Sequence, residues 1–321
     1  MKSKIVLVSP ALKQANNGNW HTAHRWAKFV SAHCDIAVEQ RWSKSEANET
    51  AMIALHARRS APSIHAWAAQ NSSKPLIVVL TGTDLYRDIQ SDAVAQLSLQ
   101  LATHLVVLQD AGLAALPKHF RGKTHVIYQS APPLKPVVKS SSHFKAVMVG
   151  HLRDEKDPLT FMRAAELCVA DPIKFDQIGE GLDAALANAA QTTAAHFPHY
   201  RWLGGLPRAE TRQRIKRAHV LVNCSVMEGG AHVILEAVQS GTPVLASRIS
   251  GNLGMLGADY AGYFELGDAK GLAALVKHCA AEPEFLARLQ SQCAHRAELF
   301  APVVEKRLVL NLVLSALKES I

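Results

Sequence analysis

The sequence predicts an α/β protein built from two doubly wound, Rossmann-like domains, each a parallel sheet wrapped by helices. Three observations carry this expectation. Short apolar strands alternate with helical segments from the N-terminus to about residue 131, the pattern of a parallel sheet covered on both faces. A stretch rich in Pro, Lys and Ser follows between Ala131 and Ser142 and reads as a linker. A second strand–helix series then begins at Phe144. With 321 residues, 48% of them hydrophobic and 19% charged, the chain is long enough for two cores. The expected division is 1–138, 139–300 and a terminal helical segment 301–321.

In the first domain, residues 5–9 read as the opening strand, followed by a loop over 16–19 and a helix from about Thr22 through Phe29. Residues 52–56, 76–80, 104–108 and 125–128 are the further strands, each short and apolar. In the second, residues 146–150 form a strand, 151–157 a loop, and a helix starts at Pro158. The strand 173–178 ends in Gly179-Glu180-Gly181, and a helix runs on to about His196. Strands over 200–203 and 220–223 flank a helix from Pro207 to about Ala218, and 263–266 with two helices complete the series. The run 308–317 is amphipathic but short and lacks a basic aromatic face, so it reads as packing across the domain boundary rather than lying on a membrane. Ligands of doubly wound sheets bind outside the carboxyl ends of the strands, so a cleft there is expected.

Composition excludes several classes. No apolar run approaches a membrane span, and the start MKSKIVLVSP has an apolar stretch too short for a signal-peptide core. The five cysteines (Cys34, Cys168, Cys224, Cys279, Cys293) are scattered and form no CxxC, which argues for reduced thiols in a cytoplasmic protein. The net charge of +8 is spread out, with no aromatic-interleaved basic patch, so small anions are expected as partners and nucleic acid is not. The absence of a GxGxxG followed by a distant acid argues against a dehydrogenase.

The chemistry concentrates in residues 226–246, VMEGGAHVILEAVQSGTPVLA. Glu228 and Glu236 stand eight positions apart, with Gly229 and Gly230 between them. A helical apolar pattern follows, then Gly241 as a stop, Pro243 and a buried strand from Val244. Glycines at a helix start let backbone approach a ligand closely, and the first N–H groups there suit an anion. Carboxylates beside such a site are poor phosphate ligands but accept well from sugar and ribose hydroxyls.

This stretch resembles the Glu-x7-Glu signature of retaining-type GT-B glycosyltransferases, the family 4 group. The resemblance implies that Glu228 touches the donor sugar and Glu236 the nucleotide ribose. The backbone of Gly229, Gly230, Ala231, His232 and Val233 then meets the diphosphate. Ala231 stands where the family usually has Gly, and His232 where it often has Asn. Residues 149–157, VGHLRDEKD, resemble the family's GRLxxxKG loop, which implies that Lys156 and Arg153 neutralise the departing diphosphate, with His151 in the usual arginine position. No Asp-x-Asp occurs, so neither a metal nor another cofactor is implied. In GT-B enzymes the last helix often returns to the N-terminal domain.

In the first domain Gly18 opens a loop that can meet the sugar phosphate, with Asn19 beside it and Thr22 and Arg25 a turn apart on the next helix. His56, Arg58 and Arg59 follow one strand, Thr83 and Asp84 (in LTGTDLYRD) another, and Gln129 a third. All fall at strand C-termini of one sheet, and arginines there suit an anionic acceptor. The wording LHARRS, LTGTDLYRDI, VIYQSAPP, YRWLG and LPRAE is similar to that of the selenosugar synthases, a GT-B family. This implies UDP-N-acetylglucosamine and selenophosphate as substrates, with Arg25, Arg58 and Arg59 holding the selenophosphate oxygens and His56 or Asp84 binding sugar hydroxyls. An anionic selenium nucleophile needs no general base. The alternatives are a family 4 transferase acting on a hydroxyl, for which His56 and Asp84 are the candidate bases, and a non-catalytic nucleotide-sugar sensor.

Overall fold

A computed structural model describes residues 2–12, 18–43 and 48–319. The chain forms two compact units, Met1–Gln129 with Pro302–Ile321, and Ser130–Ala301. The division falls at Gln129/Ser130, upstream of 138/139, because the proline-rich segment is tied to the second unit. There Ala131 N donates to Phe300 O (3.2 Å) and Leu134 N to Gln239 O (2.8 Å).

The first unit is a six-stranded parallel sheet of order β2-β1-β3-β4-β5-β6. Its strands are β1 (Lys4–Val8), β2 (Asp35–Glu39), β3 (Glu49–Leu55), β4 (Leu76–Leu80), β5 (His104–Val107) and β6 (Thr124–Val126). Its helices are α1 (Gly18–Val30), α2 (Ala61–Gln70), α3 (Ile89–Ser91), α4 (Ala93–Leu101) and α5 (Gly112–Ala115). The strands are apolar on both faces because both are covered. Val6, Val8, Met52, Ala54, Val78 and Leu80 face Ile64, Trp67, Ala95 and Leu99 of α2 and α4. The alternate residues Ile5, Leu7, Ile53, Leu55, Ile77 and Val79 face Ala23, Trp26 and Val30 of α1.

The second unit repeats the plan, with order β12-β11-β10-β7-β8-β9. Its strands are β7 (Phe144–Val149), β8 (Ile173–Ile178), β9 (Tyr200–Trp202), β10 (Val220–Asn223), β11 (Val244–Ser247) and β12 (Tyr263–Phe264). Its helices are α6 (Pro158–Glu166), α7 (Ala184–His196), α8 (Arg208–Arg217), α9 (His232–Val238), α10 (Ser250–Leu256), α11 (Ala269–Ala281) and α12 (Pro283–Arg296). The last helix, α13 (Pro302–Glu319), belongs to the first unit: Val309, Leu312, Val313 and Ala316 form one helical stripe buried against Trp26 and Val30. Among the described residues no helix is long and apolar enough to cross a membrane.

Several details depart from the sequence expectation, among them the unforeseen helix α10 between β11 and β12. α1 starts at Gly18 rather than near Thr22, and the Asn16-Asn17 part of the predicted loop lies outside the described residues. The strand expected over 125–128 is Thr124–Val126. The edge strand β2 has no counterpart in the sequence reading, because its half-exposed DIAVE carries no buried apolar run.

Candidate active site

Strand order reverses between β7 and β10 in the second sheet, and between β1 and β3 in the first. Such switch points open a crevice at the strand carboxyl ends. The loop after β7 carries Arg153 and Lys156, and the loop after β10 carries Glu228, so one switch point brings them together. Val226 N donates to Glu155 O (3.0 Å), fastening the two loops.

Glu228 is buried, and one of its oxygens, Oε1, accepts from both Lys156 Nζ and Ser225 Oγ, the latter at 2.6 Å. Burial pushes the Glu228 carboxyl up, but Lys156, Ser225 and Arg153 outweigh it and hold the group below the usual carboxylate range. Lys156 lies across Gly150, where an added Cβ would stand 3.3 Å from its Cγ. Arg153 is 43% exposed, with Nε 3.9 Å from Glu155 Oε2. His151, in the family's arginine position, instead accepts Glu180 N on Nδ1 (3.1 Å), and burial lowers its pKa.

A buried network fixes this floor. Ser247 Oγ donates to Ser225 O (2.6 Å), and Asn252 Nδ2 donates to Ser247 O (2.9 Å). At two crossings only glycine fits: a Cβ on Gly251 would lie 2.0 Å from Glu228 O, and one on Gly179, at φ 152°, 1.9 Å from Gly150 O. Ser225, Asn252 and Gly251 act here without a sequence signal of their own, since the network joins the segment after β10 to the one after β11.

The Gly229–Val233 backbone leads into α9, whose start at Ala231 is capped by no side chain. Ala231 has φ −70° and ψ 104°, a conformation open to any residue, so its alanine imposes no strain. Gly229 and Ala231 are buried, whereas Gly230, His232 and Val233 are half-buried. Glu236, in the second turn, is buried and accepts on Oε1 from Arg208 Nε (2.9 Å), with Nη2 of the same guanidinium 2.8 Å away. Arg208 lies within the LPRAE block, whose wording gives no hint that its partner is Glu236.

In the first unit the predicted residues divide. Thr22 is buried at the start of α1, donates to Gly18 O (2.8 Å) and accepts from Gln129 Nε2, so Gly18, Thr22 and Gln129 form one cluster. Asn19 is half-buried beside it. His56, at the end of β3, is buried in the left-handed region (φ 73°), strained for a residue with a Cβ. Its Nδ1 accepts Arg59 N (3.2 Å), which leaves the proton on Nε2, facing Thr83 Oγ1 at 2.9 Å. Burial lowers the His56 pKa despite Asp84, so the ring is neutral with its lone pair taken by backbone. Arg58 and Arg59 are exposed, with Arg58 Nε bonded to Asp92 Oδ2 (2.6 Å).

Two charged residues of that reading are held within the first unit. Asp84 is fully buried, and its carboxylate accepts from Ala57 N, Thr81 N and Gly82 N, each at 2.9 Å, which ties two loops together. Arg25 turns to the terminal helix, where Nε and Nη2 meet the two oxygens of fully buried Glu305 at 2.7 and 2.9 Å. Trp26 Nε1 adds a third bond to Glu305 (2.8 Å). A partner 280 positions away leaves no local trace in sequence.

Two doubly wound parallel-sheet units, with paired acids and cations at a switch point, define the GT-B class of fold. The chain belongs to the glycosyl transferases group 1 family, whose pattern matches residues 135–296, more than half its length. Among solved structures it is similar to a sucrose-phosphate synthase from Thermosynechococcus elongatus, with 14% identity and a TM-score of 0.79 over 98% of this chain and 99% of that one. It is equally similar to Anabaena HepE in complex with UDP-glucose, at 16% identity and TM-score 0.78 over 97% and 99%. A TarM variant from S. aureus, solved with UDP, matches at 16% identity and TM-score 0.68 over 83% of this chain, which spans only 55% of TarM.

Proposed function

We propose that this protein transfers N-acetylglucosamine from UDP-N-acetylglucosamine to selenophosphate, giving a 1-selenosugar, UDP and phosphate. The carrying observation is the Glu228–Lys156 pair at the β7/β10 switch point, with Arg153 beside it. A sugar hydroxyl donating to Glu228 releases Lys156 toward the diphosphate, so the two groups exchange partners when donor binds. Selenium attacks C1 as the C1–O bond breaks, and UDP leaves with the electron pair. Lys156 and Arg153 then meet the negative charge that grows on it. Water next cleaves the P–Se bond, giving phosphate and the selenolate sugar. The choice of uridine draws on HepE and TarM, whose structures hold UDP-glucose and UDP.

An anionic selenium nucleophile suits the first unit, because the neutral ring of His56 has its lone pair on the Arg59 N–H and offers no ready base. Arg58 and Arg59 then supply the charge for the selenophosphate oxygens, while Thr83, Asn19 and Gln129 line the acceptor side. One observation favours a second reading, a hydroxyl acceptor: Arg25 and Arg58 already hold carboxylates, which leaves fewer cations for a phosphate. Product mass spectrometry with selenophosphate and a panel of UDP-sugars separates the two. UDP release that requires selenophosphate, with a selenium-containing sugar as product, supports the proposal. Release that proceeds without selenophosphate, or a product lacking selenium, overturns it.

A further inference from the structure

We propose that Arg208 is the positioning residue for recognition of the nucleotide ribose. The inference rests on the reading of Glu236 as ribose acceptor and adds the group that aims it. A glutamate carboxylate turns broadly about its last torsion, so an unrestrained Glu236 would present either oxygen in many directions. Arg208 restricts that freedom: Nε donates to Oε1 at 2.9 Å and the Nη2 charge lies 2.8 Å from the same oxygen, which leaves Oε2 as the acceptor for a further donor. A vicinal diol supplies such donors, and hydrogen bonds to an ionised acceptor are the strong ones.

The arrangement is built into two packed helices. Arg208 opens α8, and Arg212 follows one turn later on the same face. Arg212 donates from Nη2 to Pro132 O, which anchors α8 to the 131–134 segment, and Glu236 acts electrostatically on it. The Glu236 backbone is held as well, by Ser240 Oγ donating to its carbonyl (2.6 Å). Two guanidinium groups therefore attend one buried carboxylate, and only Arg208 touches it. Arg208 is 37% exposed and stands on the solvent side of that carboxylate, which is 6% exposed. Lysine in its place can keep a charge beside Oε1 but not the planar guanidinium that fixes the Nε–H bond.

The test compares calorimetric binding of UDP and 2′,3′-dideoxyuridine diphosphate to the wild type, R208K and R208A. The wild type is expected to prefer UDP by about tenfold or more, the range for lost bonds to a charged group. R208A should bring that ratio below about threefold while binding the dideoxy ligand nearly as well as the wild type does, and R208K should fall between. Folding of each variant is checked by circular dichroism and thermal melting. An undiminished ratio in folded R208A, or in R208K where R208A does not fold, overturns the proposal and leaves the ribose reading of Glu236 standing. Equal affinity of the wild type for both ligands, or no affinity for UDP, overturns the ribose reading itself and the role of Arg208 with it.

Discussion

Both units are six-stranded parallel sheets with one switch point each, β1/β3 in the first and β7/β10 in the second, yet the charged groups near them are held differently. In the second unit, carboxylates and cations meet at the switch point itself: Lys156 on Glu228, Arg208 on Glu236. In the first unit, two of the charged groups expected at strand C-termini, Asp84 and Arg25, are tied into the scaffold, while Arg58 and Arg59 stay exposed. Asp84 gathers three backbone N–H groups, and Arg25 neutralises Glu305 on the terminal helix. The pairs of the second unit stand at a strand carboxyl end, while Asp84 and Arg25 of the first are bonded to partners that brace loops and the terminal helix. A like position in a like fold therefore does not give a residue the same task.

That contrast can be broken most sharply at Lys156. K156A is expected to lower kcat for UDP release by about 10²- to 10³-fold, as for removal of one preorganised charge-stabilising group, with a much smaller change in stability. Steady-state UDP release together with chemical denaturation measures both. A stability loss without a rate loss would place Lys156 with the scaffold residues and erase the difference between the units.

Arg25 should behave in the opposite way. R25A leaves the buried Glu305 carboxylate without the Arg25 counter-charge, and is expected to lower unfolding free energy by about 3 to 5 kcal/mol. R25M/E305M, which removes both charges, should recover most of that loss. If R25A instead weakened acceptor binding with stability unchanged, Arg25 would return to the acceptor wall.

The smallest effect concerns Lys139, in the proline-rich segment held to the second unit. Its Nζ donates to Lys216 O and to Thr242 Oγ1 (3.1 Å), and burial, aided by Lys216, pushes its pKa down to about 8. Between pH 8 and the ordinary lysine value of 10.5, the unfolded chain binds the extra proton, so this group's contribution to stability rises with pH. It is lost as pH falls through 8. Denaturation midpoints measured across this window should rise in the wild type and flatten in K139M.

The two doubly wound units, most of their strands and the acids and basic loop near the second switch point were legible in the amino-acid order alone. Apolar runs buried on both faces are a one-dimensional signal, and the acids, glycines and basic loop of that site each sit in a recognisable local pattern. Which partner each charge meets became visible in the folded chain. Arg25 meets Glu305, Arg208 meets Glu236 and Gly251 packs on Glu228 across long stretches of chain. A side chain's task depends on the partner that burial forces on it, and sequence spacing carries no record of that partner.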